Sequence, residues 1–381
     1  MKGNAEKSNR YYKNILFYLT LLLTFPIVNG CYGITELDDR VIVSLVGLDQ
    51  LQNGNVEVTM GLIDTRLIEL QEAESLHVYT FEGETIFDAV RLAILEIGKQ
   101  PMWPYIKAVV FGPSFKENDV KPYLDFFNRN NEVQPNHFIV FSDKPAREIV
   151  EIRSDLSNIP AVTVEQQIEH QALVSYSPEV RLHYFTEMMF SEGQVGYASI
   201  IKREEEENVH KIEGTALIKG GKWIGTLNRM ETRGALWVQG AVKGGITIVP
   251  FKNGKLSLEI VEETGSAITP ILKDNKLSVK VDIQTICSLG EMMALIENDH
   301  GELIEEINRS AEQEIVKEIE ASLKKTQELG TDIYGINRVV HREFPNYWKE
   351  NKESWPEIFS DLPIEINVTV EMKKMGLFNN F

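Results

Sequence analysis

Cysteine is nearly absent from this chain: 381 residues contain only Cys31 and Cys287. A small disulfide scaffold is therefore excluded, and stability has to come from a packed core. Familiar catalytic signatures are missing as well. There is no Gly-x-Ser-x-Gly elbow, no Gly-x-x-x-x-Gly-Lys-Ser/Thr phosphate loop, no His-Glu-x-x-His pair and no Cys-x-x-Cys. The seven histidines (77, 137, 170, 183, 210, 300 and 341) are scattered without ligand spacing, so they read as surface or boundary residues, with no metal and no cofactor expected. Basic residues are also in deficit, 39 against 57 acidic ones, for a formal charge of −18. Phosphate contacts need clustered Lys and Arg, so no nucleic-acid partner is expected. Finally, the apolar run from Ile15 to Val28 falls short of the roughly 20 residues that span a bilayer.

What that run does have is context. Lys2, Lys7, Arg10 and Lys13 precede it, and it ends at Val28-Asn29-Gly30-Cys31. A basic start, a short apolar stretch and small residues before a cysteine form the layout of a bacterial lipoprotein signal. Residues 1–30 are thus expected to be a cleaved signal peptide, with Cys31 the lipid-attachment site and first mature residue. The leader holds four basic and one acidic side chain, which leaves −21 on residues 31–381. So acidic a body is repelled by anionic headgroups, and a covalent anchor overcomes that repulsion. Stable anchoring takes more than one acyl chain, as on a diacylglyceryl and palmitoyl cysteine.

The mature part reads as α+β, a mixed α/β protein of three consecutive domains, each a β-sheet covered by helices. The first, 31–158, opens with a hairpin, Arg40–Asp49 and Val56–Leu62, turning at Asn53-Gly54. A helix starts after Thr85, and strands at Ile106–Phe111 and His137–Phe141 alternate with helical segments, which implies parallel pairs. The second, 159–238, is helical to Ser191 and then strand-rich, with Gly220-Gly221 as a two-residue turn and a helix from Arg229. The third, 239–381, is expected to hold an antiparallel sheet punctuated by Asn253-Gly254 and Asp274-Asn275. A long amphipathic helix follows, with its stripe at Leu303, Ile307, Ala311, Ile315, Ile319 and Leu323. A helical region broken at Pro345 and Pro356 leads to a closing strand, Ile364–Glu371.

Two segments invite a chemical reading and fit a structural one better. Glu204-Glu205-Glu206-Glu207 points its carboxylates in divergent directions, unlike a calcium cage, and reads as a solvated hairpin tip. Gly214 to Gly225 has no helix after its glycines and so fails as a nucleotide loop. The candidate interaction surfaces are the Gly220-Gly221 hairpin with the Arg233/Trp237 helix, and the region from Asp332 to Trp348. Core packing is the competing explanation for both.

Several of these segments also carry a resemblance. They are Cys31-Tyr32 with Glu36-Leu37, Gly83-Glu84-Thr85 with Asp88-Ala89, and Gly214-Thr215-Ala216-Leu217-Ile218-Lys219 with Gly225-Thr226-Leu227. Glu231-Thr232-Arg233-Gly234 with Trp237, and Thr331-Asp332-Ile333-Tyr334-Gly335 with Pro345-Asn346-Tyr347-Trp348, complete the set. The chain resembles the GerC-type lipoproteins, C subunits of spore germinant receptors, although Tyr32-Gly33 stands where that family usually has Trp-Asp. The resemblance implies a non-enzymatic, lipid-anchored subunit on the outer face of the spore inner membrane. It also implies integral-membrane A- and B-type partner subunits in nutrient-triggered germination. A solute-binding lipoprotein serving a membrane transporter is the alternative, and it requires a cleft between domains.

Overall fold

A computed structural model describes residues 13–18, 39–64, 76–153, 159–193, 195–204, 206, 208–261, 265–293 and 300–374. Cys31 lies outside these residues. The chain divides after Arg40; in the first part residues 13–18 are helical. Among the described residues, no helix is long and apolar enough to cross a membrane.

Beyond the division, the Asn53-Gly54 turn does what its residues dictate. Gly54 takes φ +90°, and β1 (Arg40–Gln50) pairs antiparallel with β2 (Val56–Ile63). β3 (Leu76–Gly83), which the sequence reading misses, continues the meander beside β2. Helix α1 (Ile86–Ile97) then runs back along the sheet. Thr85 caps it by accepting the Asp88 N–H at 3.1 Å, and Gly98 closes it at φ +68°. The short β4 (Gln100–Met102) pairs with β1.

β5 (Ala108–Phe111), α2 (Lys121–Arg129), β6 (Phe138–Phe141), α3 (Ala146–Val150), α4 (Pro160–Glu169) and α5 (Leu182–Phe190) lead to β7 (Val195–Glu204). The strands β1, β5, β6 and β7 are mutually parallel neighbours. β5 and β6 are apolar throughout, and β1 and β7 mostly so through their middles, because helices cover both faces: α1, α2 and α5 on one side, α3 and α4 on the other. β8 (Val209–Lys219) and β9 (Lys222–Leu227) extend the same sheet antiparallel, in the order β3-β2-β1-β5-β6-β7-β8-β9. β6 and β7 are hydrogen-bonded neighbours, so the expected boundary at 158/159 falls between two strands of one sheet.

Helix α6 (Arg229–Val238) carries the chain to a second sheet. Its strands are β10 (Ile246–Phe251), β11 (Gly254–Ile260), β12 (Gly265–Lys273) and the eighteen-residue β13 (Lys276–Met293). β12 and β11 pair with successive stretches of β13, and β14 (Ile364–Lys374) lines its other edge in parallel. A parallel neighbour needs a crossover. It is supplied by α7 (His300–Glu328), α8 (Ile336–Glu343), α9 (Pro345–Asn351) and α10 (Trp355–Ser360). Pro345 opens α9, where its fixed φ and missing N–H are tolerated. The architecture is therefore mixed α+β, as expected, with two sheets among the described residues rather than three.

Two histidines depart from the expected surface placement. His137 is buried, with Nδ1 2.8 Å from the Gln134 carbonyl and its ring against Phe127. His210 is buried with Nε2 2.9 Å from the Ile149 carbonyl. Burial disfavours the imidazolium, pushing the His137 pKa down to about 4 and lowering that of His210. A depressed histidine pKa means the unfolded chain binds the proton first, so stability falls as pH drops below the unfolded pKa. His137 removes about 1.4 kcal/mol per pH unit between roughly pH 6.5 and pH 4. In urea unfolding across that window, His137→Gln is expected to flatten the pH dependence by that amount.

Candidate interaction surfaces

The Gly220-Gly221 turn has the geometry its glycines suggest, φ +59° and +84°, yet its tip is not free. A Cβ on Gly221 would overlap the Asp119 carboxylate, and the Gly221 carbonyl accepts the Val120 N–H at 2.9 Å. Lys219 Nζ donates to the Gly330 carbonyl at 3.0 Å. Lys116 lies over the Trp223 ring, 4.7 Å from its centroid. The hairpin is thus a clamp between the α2 loop and the end of α7.

The Arg233/Trp237 helix is interior too. Gly234 lies against the Glu318 carbonyl of α7, where any Cβ would sit 1.9 Å from that oxygen. This glycine lets α6 and α7 meet backbone to backbone. Glu318 then becomes the centre of a buried cluster. One of its oxygens accepts Arg233 Nε at 2.8 Å and Trp237 Nε1 at 2.9 Å, the other accepts Arg233 Nη2, and Arg233 Nη1 reaches the Ile246 carbonyl at 2.7 Å. Packing, rather than partner contact, accounts for Arg233 and Trp237. The sequence reading passed over Glu318 because it is charged, although Ala311, Ile315, Glu318 and Ser322 share one helical phase. Of the four-glutamate run, Glu205 and Glu207 lie outside the described residues. Glu204 is exposed at the β7–β8 end, 3.6 Å from Lys211.

The Asp332-to-Trp348 region does reach a concave surface. It forms one wall of a cleft of about 710 Å³, opposite Tyr184, Met188, Val195 and Tyr197. Asp332 is buried beneath it as an organising group. Its oxygens accept the N–H groups of Tyr334 (3.1 Å), Ile336 (3.2 Å) and Asn337 (2.7 Å), and Trp355 Nε1 (3.2 Å). Burial raises its pKa and these four donors oppose that rise. Gly335, at φ +73°, turns the chain into α8 above this cage. The Tyr334 hydroxyl is held by Ser322 (2.8 Å) and Thr326 (3.0 Å).

The cleft walls are bridged at the rim. Trp348 Nε1 donates to Glu192 at 3.1 Å, Lys352 lies 3.8 Å from the same carboxylate, and Arg338 lies 3.9 Å from Glu187. Long, exposed ion pairs of this kind hold little energy. Inside, Gln239 donates to the Ile333 carbonyl at 2.8 Å, and burial raises the Tyr197 pKa well above the usual tyrosine value. The cleft offers aromatic edges and a mixed-charge rim for a side chain or small molecule. Among the described residues, no group of three His, Cys, Asp or Glu side chains is placed to hold a metal.

The wall residues come from two recognisable halves. Residues 33–203 match the model described as spore germination protein N-terminal domain, and residues 213–376 match the spore germination B3/GerAC-like C-terminal domain. The chain belongs to the GerC-type spore germination family. Among Bacillus subtilis relatives, spore germination protein KC is 22% identical, with 97% of each chain covered. Spore germination protein YndF is 27% identical over 90% of this chain and 93% of its own. The crystal structure of the GerBC protein superposes with a TM-score of 0.60 at 17% identity, covering 86% of this chain and 96% of that one, and so shares the fold. The two family domains meet within the β7–β8 hairpin. Their sheets are therefore not independent: β8 and β9 of the C-terminal match complete the N-terminal sheet.

The Glu318 cluster sets a stability test. Removing one partner of a buried ion pair strands the other, at a cost of about 3–5 kcal/mol. Glu318→Ala is expected to destabilise by that amount in urea unfolding. The double replacement Arg233→Met/Glu318→Met, which strands no charge, loses less than the sum of the two single variants.

Proposed function

We propose that this chain is a lipid-anchored, non-enzymatic subunit of a spore germinant receptor complex, held at the outer face of the membrane through Cys31. Integral-membrane A- and B-type subunits are its partners. The observation that carries the proposal is the pairing of two germination-family domains across nearly the whole chain with a leader ending in Gly30-Cys31. An acidic body and an acyl anchor complement each other physically, since the anchor holds at the bilayer a domain that electrostatics would push away. The interior placement of Arg233 and Trp237 leaves the cleft around Asn337, Arg338 and Trp348 as the preferred partner-facing surface.

The cleft also supports a second reading, a solute-binding lipoprotein, because it lies between two domains and mixes aromatic with polar groups. Calorimetry against amino acids, sugars and nucleosides separates the two, and saturable heat favours solute binding.

Mass spectrometry of the chain from spore membranes is expected to find Cys31 acylated at the N-terminus. Cys31→Ala is expected to lose the acyl group, leave the membrane fraction and abolish the germinant response, with membrane fractionation and a germination assay as readouts. A variant that stays membrane-bound and responsive would sink the anchor.

A further inference from the structure

Covalent geometry ties one end of the first sheet to whatever holds Cys31. Val41 lies in β1, and ten peptide units separate it from Cys31. Fully extended, they reach about 35 Å. β1 itself has eleven residues, a length of about 36 Å. The end where β1 begins can therefore rest on the surface that holds Cys31 with the tether slack, whereas bringing the opposite end to the same surface stretches the tether to its limit.

The near end also carries apolar side chains that stay exposed among the described residues. Ile42 at the start of β1 pairs with Ile63, and Asp64 just beyond takes an ion pair from Lys99 at 3.1 Å. Lys99 follows α1, so the C-terminal end of α1 lies at this end of the sheet. There Leu95 is 81% exposed and Leu92 43% exposed. Tyr105, 53% exposed, precedes β5 at the same end, where the Lys107 N–H bonds the Ser44 carbonyl at 2.8 Å. Lys107 is paired with Glu165 at 2.8 Å. Exposed Glu96 beside Leu95 limits the depth to which this face could enter a bilayer.

We infer that this end of the first sheet is a membrane-docking face, with Leu92, Leu95 and Tyr105 seated at the headgroup–acyl boundary of the bilayer that holds Cys31. The inference rests on the lipid-anchor proposal. Two leucines and a tyrosine are too few to bind a membrane alone, but they orient a body already tethered there. Docking fixes the long axis of β1 towards the bilayer normal and turns the opposite end of the sheet, with the β1–β2 turn, outward.

The test places a fluorophore at Leu95→Cys, Gln52→Cys or Ile248→Cys in the full chain. The cell-processed protein is reconstituted into phosphatidylcholine/phosphatidylglycerol vesicles containing nitroxide lipids. Cys287 is buried and escapes labelling. Gln52 reports the opposite end of β1, and Ile248 reports another exposed apolar site, on the second sheet. Nitroxide quenching at position 95 is expected to exceed that at 52 and 248 by about threefold, as for a side chain at the interface against side chains in water. Acylated, vesicle-bound protein with equal quenching at all three sites, or with the strongest quenching at 248, overturns the docking face and leaves the anchor standing. Protein without acyl groups that fails to bind vesicles overturns both.

Discussion

Antiparallel pairing of β7 with β8 is the constraint on which the rest depends. The two family domains abut inside this hairpin, and its ladder runs from Val195↔Lys219 to Glu204↔Val209. A junction of that kind is a continuous sheet rather than a hinge, because rotating one domain would break a row of backbone hydrogen bonds at once. It places α5 and the start of β7 opposite the Asp332-to-Trp348 segment, and the cleft exists because these walls cannot slide apart. The Lys219 contact with the end of α7 and the docking of Gly221 on the α2 loop reinforce the same junction from the adjacent strands.

A second constraint sits inside the C-terminal domain. Gly234 admits α7 to backbone contact, and the ion pair of Glu318 with Arg233 is affordable only because Trp237 and the Ile246 carbonyl complete the hydrogen bonding. With α6 and α7 held this way, the long helix lies across the second sheet and delivers β14 to the far edge of β13. Asp332 performs the corresponding task after α7, where its four donors shape the turn that becomes a wall of the cleft. Both acidic side chains are consumed by the fold, which is why neither is free for chemistry.

Much of this was legible in local sequence. The Asn53-Gly54 and Gly220-Gly221 turns, the Thr85 cap and the apolar stripe of α7 each depend on residues a few positions apart, so their physics is written in short segments. β3 was missed even though its Leu76, Val78 and Phe81 flank polar residues, because no turn signal of the Asn-Gly kind introduces it. The burial of His137, His210, Arg233 and Glu318 was not legible. His210, Arg233 and Glu318 are each held by a partner distant in sequence, as with Arg233 and Glu318, 85 residues apart. His137 is enclosed against the Phe127 ring although its hydrogen-bond partner, the Gln134 carbonyl, is only three residues away. The same residues that resembled a family signature at Glu231-Thr232-Arg233-Gly234 thus report helix packing.

By itself the sequence determined most of the element types, the family and the position of Cys31 after an apolar run, because composition, turn chemistry and periodicity are local properties. Tertiary structure alone decided that the two domains share one sheet, that Arg233 and Trp237 face inward, and that a cleft opens beside Trp348. Strand pairing and burial depend on which distant segments meet, and no short stretch of chain encodes that meeting.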